Sequence, residues 1–111
     1  MSEQLECEIG SVHAGEPLVV TVRGEVDLAT APELESCIQR AFADAPGSVM
    51  LDLDGLTFID SSGLRVLVAL SKEARSRDAS LTLRNIPRHA QRVLDLTGLS
   101  EWFDRAPDSP N

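Results

Sequence analysis

Residues Val49-Met-Leu-Asp-Leu53 form a short apolar run, preceded by Pro46-Gly47 and followed by Asp54-Gly55. A run this short and this apolar, closed by turn residues at both ends, reads as a strand buried in the middle of a sheet. The rest of the chain has to be arranged around it. Upstream, Leu5, Cys7 and Ile9 alternate with Glu6 and Glu8, and Leu18-Val-Val-Thr-Val22 follows a stretch holding Gly10, Gly15 and Pro17. That pattern predicts two strands joined as a hairpin, with Gly24 closing the second. Thr30-Ala-Pro-Glu33 then reads as a helix start: Thr30 caps, Glu33 reaches back to it, and Pro32 sits in the tolerated first turn. Leu34, Cys37, Ile38, Ala41 and Phe42 carry the helical period to the stop at Pro46-Gly47.

Downstream of the central strand, a linker is expected from Asp54 to Asp60. A second helix follows near Ser61 to Arg75, with Leu64, Leu67, Val68, Leu70 and Ala74 on a broad apolar face. Leu81-Thr-Leu83 reads as a strand and Pro87 opens a third helix carrying Ala90, Val93 and Leu94. Gly98 stops that helix, and Leu99, Trp102 and Phe103 make a last short packed element. Strands alternating with crossover helices define an α/β fold, here a mixed four- to five-stranded sheet with three to four helices packed on it. One domain is expected over residues 1–104, with a mobile tail at 105–111 containing Pro107 and Pro110.

At 111 residues, 42% of them hydrophobic and 25% charged, the chain suits a single core. A formal charge of -8 repels nucleic-acid phosphates and anionic lipid, so neither nucleic acid nor membrane is an expected partner. Met1-Ser-Glu-Gln lacks the basic start and apolar stretch of a signal peptide, and no apolar run is long enough for a bilayer, so cytoplasmic residence is expected. Cys7 and Cys37 fall at apolar positions without CxxC spacing and read as two buried thiols rather than a metal or redox site.

The stretch Leu56-Thr-Phe-Ile-Asp-Ser-Ser-Gly-Leu64 carries the chemistry. Two serines follow an Asp and precede a Gly at a predicted helix start, where unpaired backbone N–H groups and the helix dipole favour a bound or covalent anion. The plainer reading is an N-cap by Asp60, Ser61 or Ser62, worth about 1 kcal/mol. Catalysis finds no support: no G-x-S-x-G, Walker or G-x-G-x-x-G motif is present, and His13 and His89 lie in or beside loops.

Phe58-Ile-Asp-Ser-Ser-Gly-Leu64, Gly24-Glu-Val-Asp27 and Leu94-Asp-Leu-Thr-Gly-Leu99 together resemble the phosphorylation motif, acidic loop and third-helix ending of the anti-sigma-factor antagonists of the bacterial STAS-domain class. The resemblance runs from about Val19 to Phe103. It implies a STAS-like domain, no catalytic or metal residues, no cofactor, and phosphorylation at Ser61. It also implies a partner surface of Asp27, Thr30, Asp60, Ser61, Ser62, Gly63 and Arg65. Arg65 stands where the family often has a further glycine, and a basic side chain there can alter partner choice or pair with the phosphate. The implied partners are an anti-sigma serine kinase, bound by the unmodified form to release a sigma factor in a stress response, and a serine phosphatase. A monomer or weak dimer is expected. The alternative role is a STAS interaction subunit of a larger assembly, such as a transport complex or stress-sensing scaffold.

Overall fold

The computed structural model describes residues 5–105. Strands β1 (Glu6–Ile9) and β2 (Leu18–Val26) form the expected antiparallel hairpin, with Cys7 opposite Val22 and Ile9 opposite Val20. Leu18, Val20 and Val22 are buried and Val19, Thr21 and Arg23 face the other way, as the two-residue period requires. Helix α1 (Ala31–Asp44) leads to β3 (Ser48–Ile59), and α2 (Ser61–Ser76) to β4 (Ser80–Arg84). Helix α3 (Arg88–Thr97) and a 3-10 turn (Ser100–Trp102) lead to β5 (Asp104–Arg105). The five strands lie in the order β1-β2-β3-β4-β5, and every pairing from β2 to β5 is parallel. The chain is therefore the α/β mixed sheet anticipated from its alternation of elements.

The predicted central strand is central, but it is much longer than its apolar run. Residues 54–59, read from sequence as a linker, continue β3 and pair with the end of β2. Thr21 and Arg23 of β2 face Asp52 and Gly55 of β3, and Gly24 and Glu25 face Leu56 and Phe58, so β3 carries one extra residue at each of two bulges. The bulges shift the inward positions from Val49, Leu51 and Leu53 to Leu56 and Ile59, which destroys the simple alternation that marks a strand. For the same reason β2 does not stop at Gly24; that residue adopts a left-handed φ of 94° inside the strand, a conformation open to glycine, and Val26 is buried beyond it.

Core packing follows the helical faces read from sequence. Leu34, Ile38, Ala41 and Phe42 of α1 and Leu64, Leu67, Leu70 and Ala74 of α2 pack with Val20, Val49, Leu51 and Leu83 of the sheet in one cluster. Each such fully buried leucine or isoleucine contributes about 2 kcal/mol. Gly98, at φ 72°, ends α3 with its N–H and that of Leu99 turned back to the carbonyls of Asp95 and Leu94. Phe103 is buried beyond it, as expected for the last element.

Three further expectations are corrected. Glu33 does not reach back to form a capping box with Thr30; the Thr30 hydroxyl accepts from the Asp27 N–H at 3.0 Å and lies 2.9 Å from the Glu25 carbonyl oxygen as a donor, so the loop before the helix has taken it. Arg105 is not part of a tail: it lies in β5 opposite Leu83, beside Asp104 opposite Thr82. The rest of the expected tail, residues 106–111, lies outside the described residues. Cys7 and Cys37 are not free thiols but a disulfide that ties the edge strand to α1, their Cα atoms 6.6 Å apart. Both face the core as the apolar pattern required; their pairing depends on how α1 lies across the hairpin, which spacing in sequence does not reveal.

On the opposite side of the sheet, Asp52 is paired with the Arg84 guanidinium at 3.2 Å and accepts from the Asn85 side chain and the Asp54 N–H, each at 3.1 Å. Partial burial raises the carboxyl pKa, but the hydrogen bonds from Asn85, Asp54 and Arg84 and the arginine charge outweigh it, so the net shift is downward.

Two outcomes are expected. Closing the 30-residue separation between Cys7 and Cys37 stabilises the domain by about 3 to 4 kcal/mol, so the urea midpoint should fall on adding reductant, and should not respond in Cys37→Ser. For Asp52, a depressed folded pKa means that its contribution is full above the usual carboxylate range and disappears as pH falls through the folded value. Asp52→Asn should therefore lose about 1 to 2 kcal/mol at neutral pH and show a shallower acid decline than the native chain in pH-dependent denaturation.

Candidate functional site

The parallel strands β2 and β3 end side by side, with Val26 opposite Ile59, and the Asp60 N–H continues the ladder to the Val26 carbonyl at 3.1 Å. The loop after β2 and the helix after β3 therefore start from the same carboxyl edge of the sheet, where ligands and partners of parallel sheets are commonly met. Asp27 and Ser61 share this edge because β2 and β3 run parallel and end in register.

Asp60 is the cap of α2. Its backbone is extended, and its carboxylate accepts from the N–H groups of Ser62 at 2.8 Å and Gly63 at 3.3 Å. This corrects the expectation of unpaired amides waiting for an anion: a built-in carboxylate already satisfies two of them and opposes the positive end of the helix. Gly63 is buried, and a Cβ on it would lie 2.5 Å from Val26 Cγ1 and 2.8 Å from Ile59 Cγ1, so the first turn can approach the strand ends only with glycine here. Ser62 is half-buried behind the cap. Ser61, by contrast, is exposed, and its hydroxyl makes no hydrogen bond among the described residues.

Asp27 is likewise turned inward. One of its carboxylate oxygens accepts from the N–H groups of Ala29 and Thr30, both at 3.0 Å, and its carbonyl accepts from the Ala31 N–H at 2.8 Å. Thr30 is thus a strut within the acidic loop, its hydroxyl bonded to the Asp27 N–H and the Glu25 carbonyl. What the loop presents outward is Leu28, 78% exposed; on the neighbouring strand Phe58 is 45% exposed.

Beside Ser61 runs a hollow of about 460 Å³, lined by Ser61, Leu64, Arg65, Val68, Lys72 and Leu99 among others. Lys72 closes its far end with its ammonium 4.8 Å from the Trp102 ring centre. Arg65 is exposed and has no hydrogen bond or ion pair among the described residues. The structure thus gathers Asp27, Thr30, Asp60, Ser61, Ser62, Gly63 and Arg65 at one edge of the molecule, with Thr30 and Gly63 serving as framework. Leu28, Phe58 and the hollow were not singled out in the sequence; the one signal for the hollow was an apolar face on α2 wider than the sheet needs, reaching to Val68.

Among the described residues no base lies within hydrogen-bond reach of the Ser61 hydroxyl. The His89 ring lies 3.0 Å from the Leu56 carbonyl oxygen, and neither serine hydroxyl meets a histidine among the described residues. Among those residues no group of three His, Cys, Asp or Glu could hold a metal, and no helix is long and apolar enough to cross a membrane.

The separation of cap from exposed serine has a direct test. Asp60→Ala should cost about 1 kcal/mol or more because it strips two amides of their acceptor, whereas Ser61→Ala should stay within about 0.5 kcal/mol of the native chain. Urea unfolding of the two variants measures the difference.

Known proteins share both sequence and shape with this chain. Residues 8–110 match the STAS domain family. An anti-sigma-B factor antagonist of Staphylococcus epidermidis is 30% identical over 82 residues, covering 74% of this chain and 76% of that protein. The crystal structure of an anti-sigma factor antagonist from Mycobacterium paratuberculosis superimposes with a TM-score of 0.76 at 29% identity, covering all of this chain and 92% of that one. The Bacillus cell fate determinant SpoIIAA in its phosphorylated form shares the fold at a TM-score of 0.68, with 22% identity and 91% of each chain covered.

Proposed function

Because the chain belongs to the STAS domain family, among the anti-sigma factor antagonists, we propose that it is a phosphorylation-controlled binding switch in the cytoplasm. In its unmodified form it binds an anti-sigma serine kinase and so frees a sigma factor. Phosphorylation of Ser61 by that kinase ends the complex, and a serine phosphatase restores the binding form. It acts by binding, without a cofactor and without catalysis of its own.

One observation carries this reading: of the two serine hydroxyls in the first turn of α2, neither hydrogen-bonded among the described residues, Ser61 is the exposed one and Ser62 is half-buried behind the Asp60 cap. A kinase can reach it without unfolding anything. Adding a phosphate places about -1.5 to -2 charges beside the carboxylate of Asp60, on a surface whose partner-facing features are Leu28, Phe58 and the apolar hollow. An interface matched to a neutral hydroxyl and apolar side chains loses affinity when that charge must be desolvated, while the buried core stays as it is. That SpoIIAA, of the same fold, has a phosphorylated form supports the reading.

The experiment has two parts. Incubation with an anti-sigma kinase and ATP should add one phosphate, which tandem mass spectrometry should place on Ser61; a phosphate on Ser62 or Thr30 would overturn the assignment. In calorimetry against that kinase, Ser61→Ala should bind and Ser61→Asp should bind at least tenfold more weakly, a loss of about 1.4 kcal/mol or more. Equal affinities would place Ser61 outside the interface and favour the role of interaction subunit in a larger assembly.

A further inference from the structure

We infer that Arg65 is the intramolecular counter-ion of the phosphate on Ser61, holding it along α2 and away from the acidic end of the helix. This rests on the reading of Ser61 as the modified residue and adds what happens to the charge once it is there.

Two amides of the first turn are not available to neutralise that charge. The Ser62 and Gly63 N–H groups are held by Asp60, and the Asp27 carboxylate on the adjoining loop is committed to Ala29 and Thr30. A phosphate on Ser61 therefore meets one carboxylate next to it in sequence and a second on the loop that shares its sheet edge. A cation is needed close by. Ser61 and Arg65 stand four residues apart on α2, where side chains are neighbours, about 5 to 6 Å between Cβ atoms, and both line the same hollow. Helical side chains lean toward the helix N-terminus, so the arginine at the later position reaches back over the serine rather than away from it. The guanidinium is free to do so, having no hydrogen bond or ion pair among the described residues. Lys72, the other cation lining the hollow, is almost two turns beyond Arg65 and seated on Trp102. Arginine also offers two parallel N–H groups to two phosphate oxygens, a geometry lysine lacks.

The consequence is a change in the binding surface larger than the addition of charge. Unmodified, the mouth of the hollow presents a neutral hydroxyl and a free guanidinium. Modified, the guanidinium is drawn over the phosphate and lost to any acidic group of a partner.

Phosphoserine encoded directly at position 61 tests this without a kinase, so that failure of a kinase to select Ser61 and failure of the pairing are read separately. The second ionisation of the phosphate, followed by phosphorus NMR against pH, should have its midpoint raised by about half a unit or more in Arg65→Ala, with Arg65→Lys in between. The difference should shrink in 1 M salt, as for an exposed pair. The unphosphorylated Arg65→Ala protein should unfold at the native urea midpoint, which separates a counter-ion from a structural residue. Identical phosphate titrations in the native and Arg65→Ala proteins would overturn the inference.

Discussion

Parallel pairing of β2 with β3 is the interaction on which the functional edge depends. It brings two segments far apart in sequence, the acidic loop and the Asp-Ser-Ser-Gly turn, to the ends of adjacent strands, and the Asp60 N–H to Val26 carbonyl bond fixes their relative height. The two bulges in β3 are part of the same device. Each extra residue changes which side chains face inward, so Leu56 and Ile59 stay buried while Phe58 is turned to the surface beside the site. Gly63 completes the junction, since the first turn of α2 packs directly on Val26 and Ile59.

Around this junction the polar groups are divided by direction. The carboxylates of Asp27 and Asp60 point into the backbone as caps, and Thr30 braces the loop from within. What remains outward is a hydroxyl, an arginine, two large apolar side chains and an apolar hollow. A site organised this way is suited to recognition: its framework is satisfied internally, and its exposed chemistry is simple enough for a single added phosphate to dominate. The Asp60 carboxylate next to Ser61 already opposes the positive end of α2, so that helix end is no longer an open site for an anion.

The elements legible in the sequence were those whose signals are local. Leu34, Ile38 and Phe42 repeat at the helical period, Leu18, Val20 and Val22 at the strand period, and Gly98 marks a stop that only backbone near it requires. The Asp60 to Gly63 motif was legible for the same reason: residue types and order suffice to recognise a cap followed by a first turn. The second half of β3 was hidden because bulges break the alternation, and the Thr30 capping box failed because a loop carbonyl and the Asp27 N–H, invisible to a linear pattern, took its hydroxyl.

By itself the amino-acid sequence determined the α/β order of elements, the apolar faces and the identity of the exposed-serine motif, since each is encoded within one or two helical turns or a few strand residues. Only the tertiary structure decided that Cys7 meets Cys37, that Asp60 rather than a phosphate occupies two first-turn amides, that Leu28 and Phe58 are exposed, and that the α2 hollow opens beside Ser61. Those outcomes depend on how α1 crosses the hairpin and on the register of β2 against β3. Both are set by packing between residues distant in the chain, and local propensity carries no record of it.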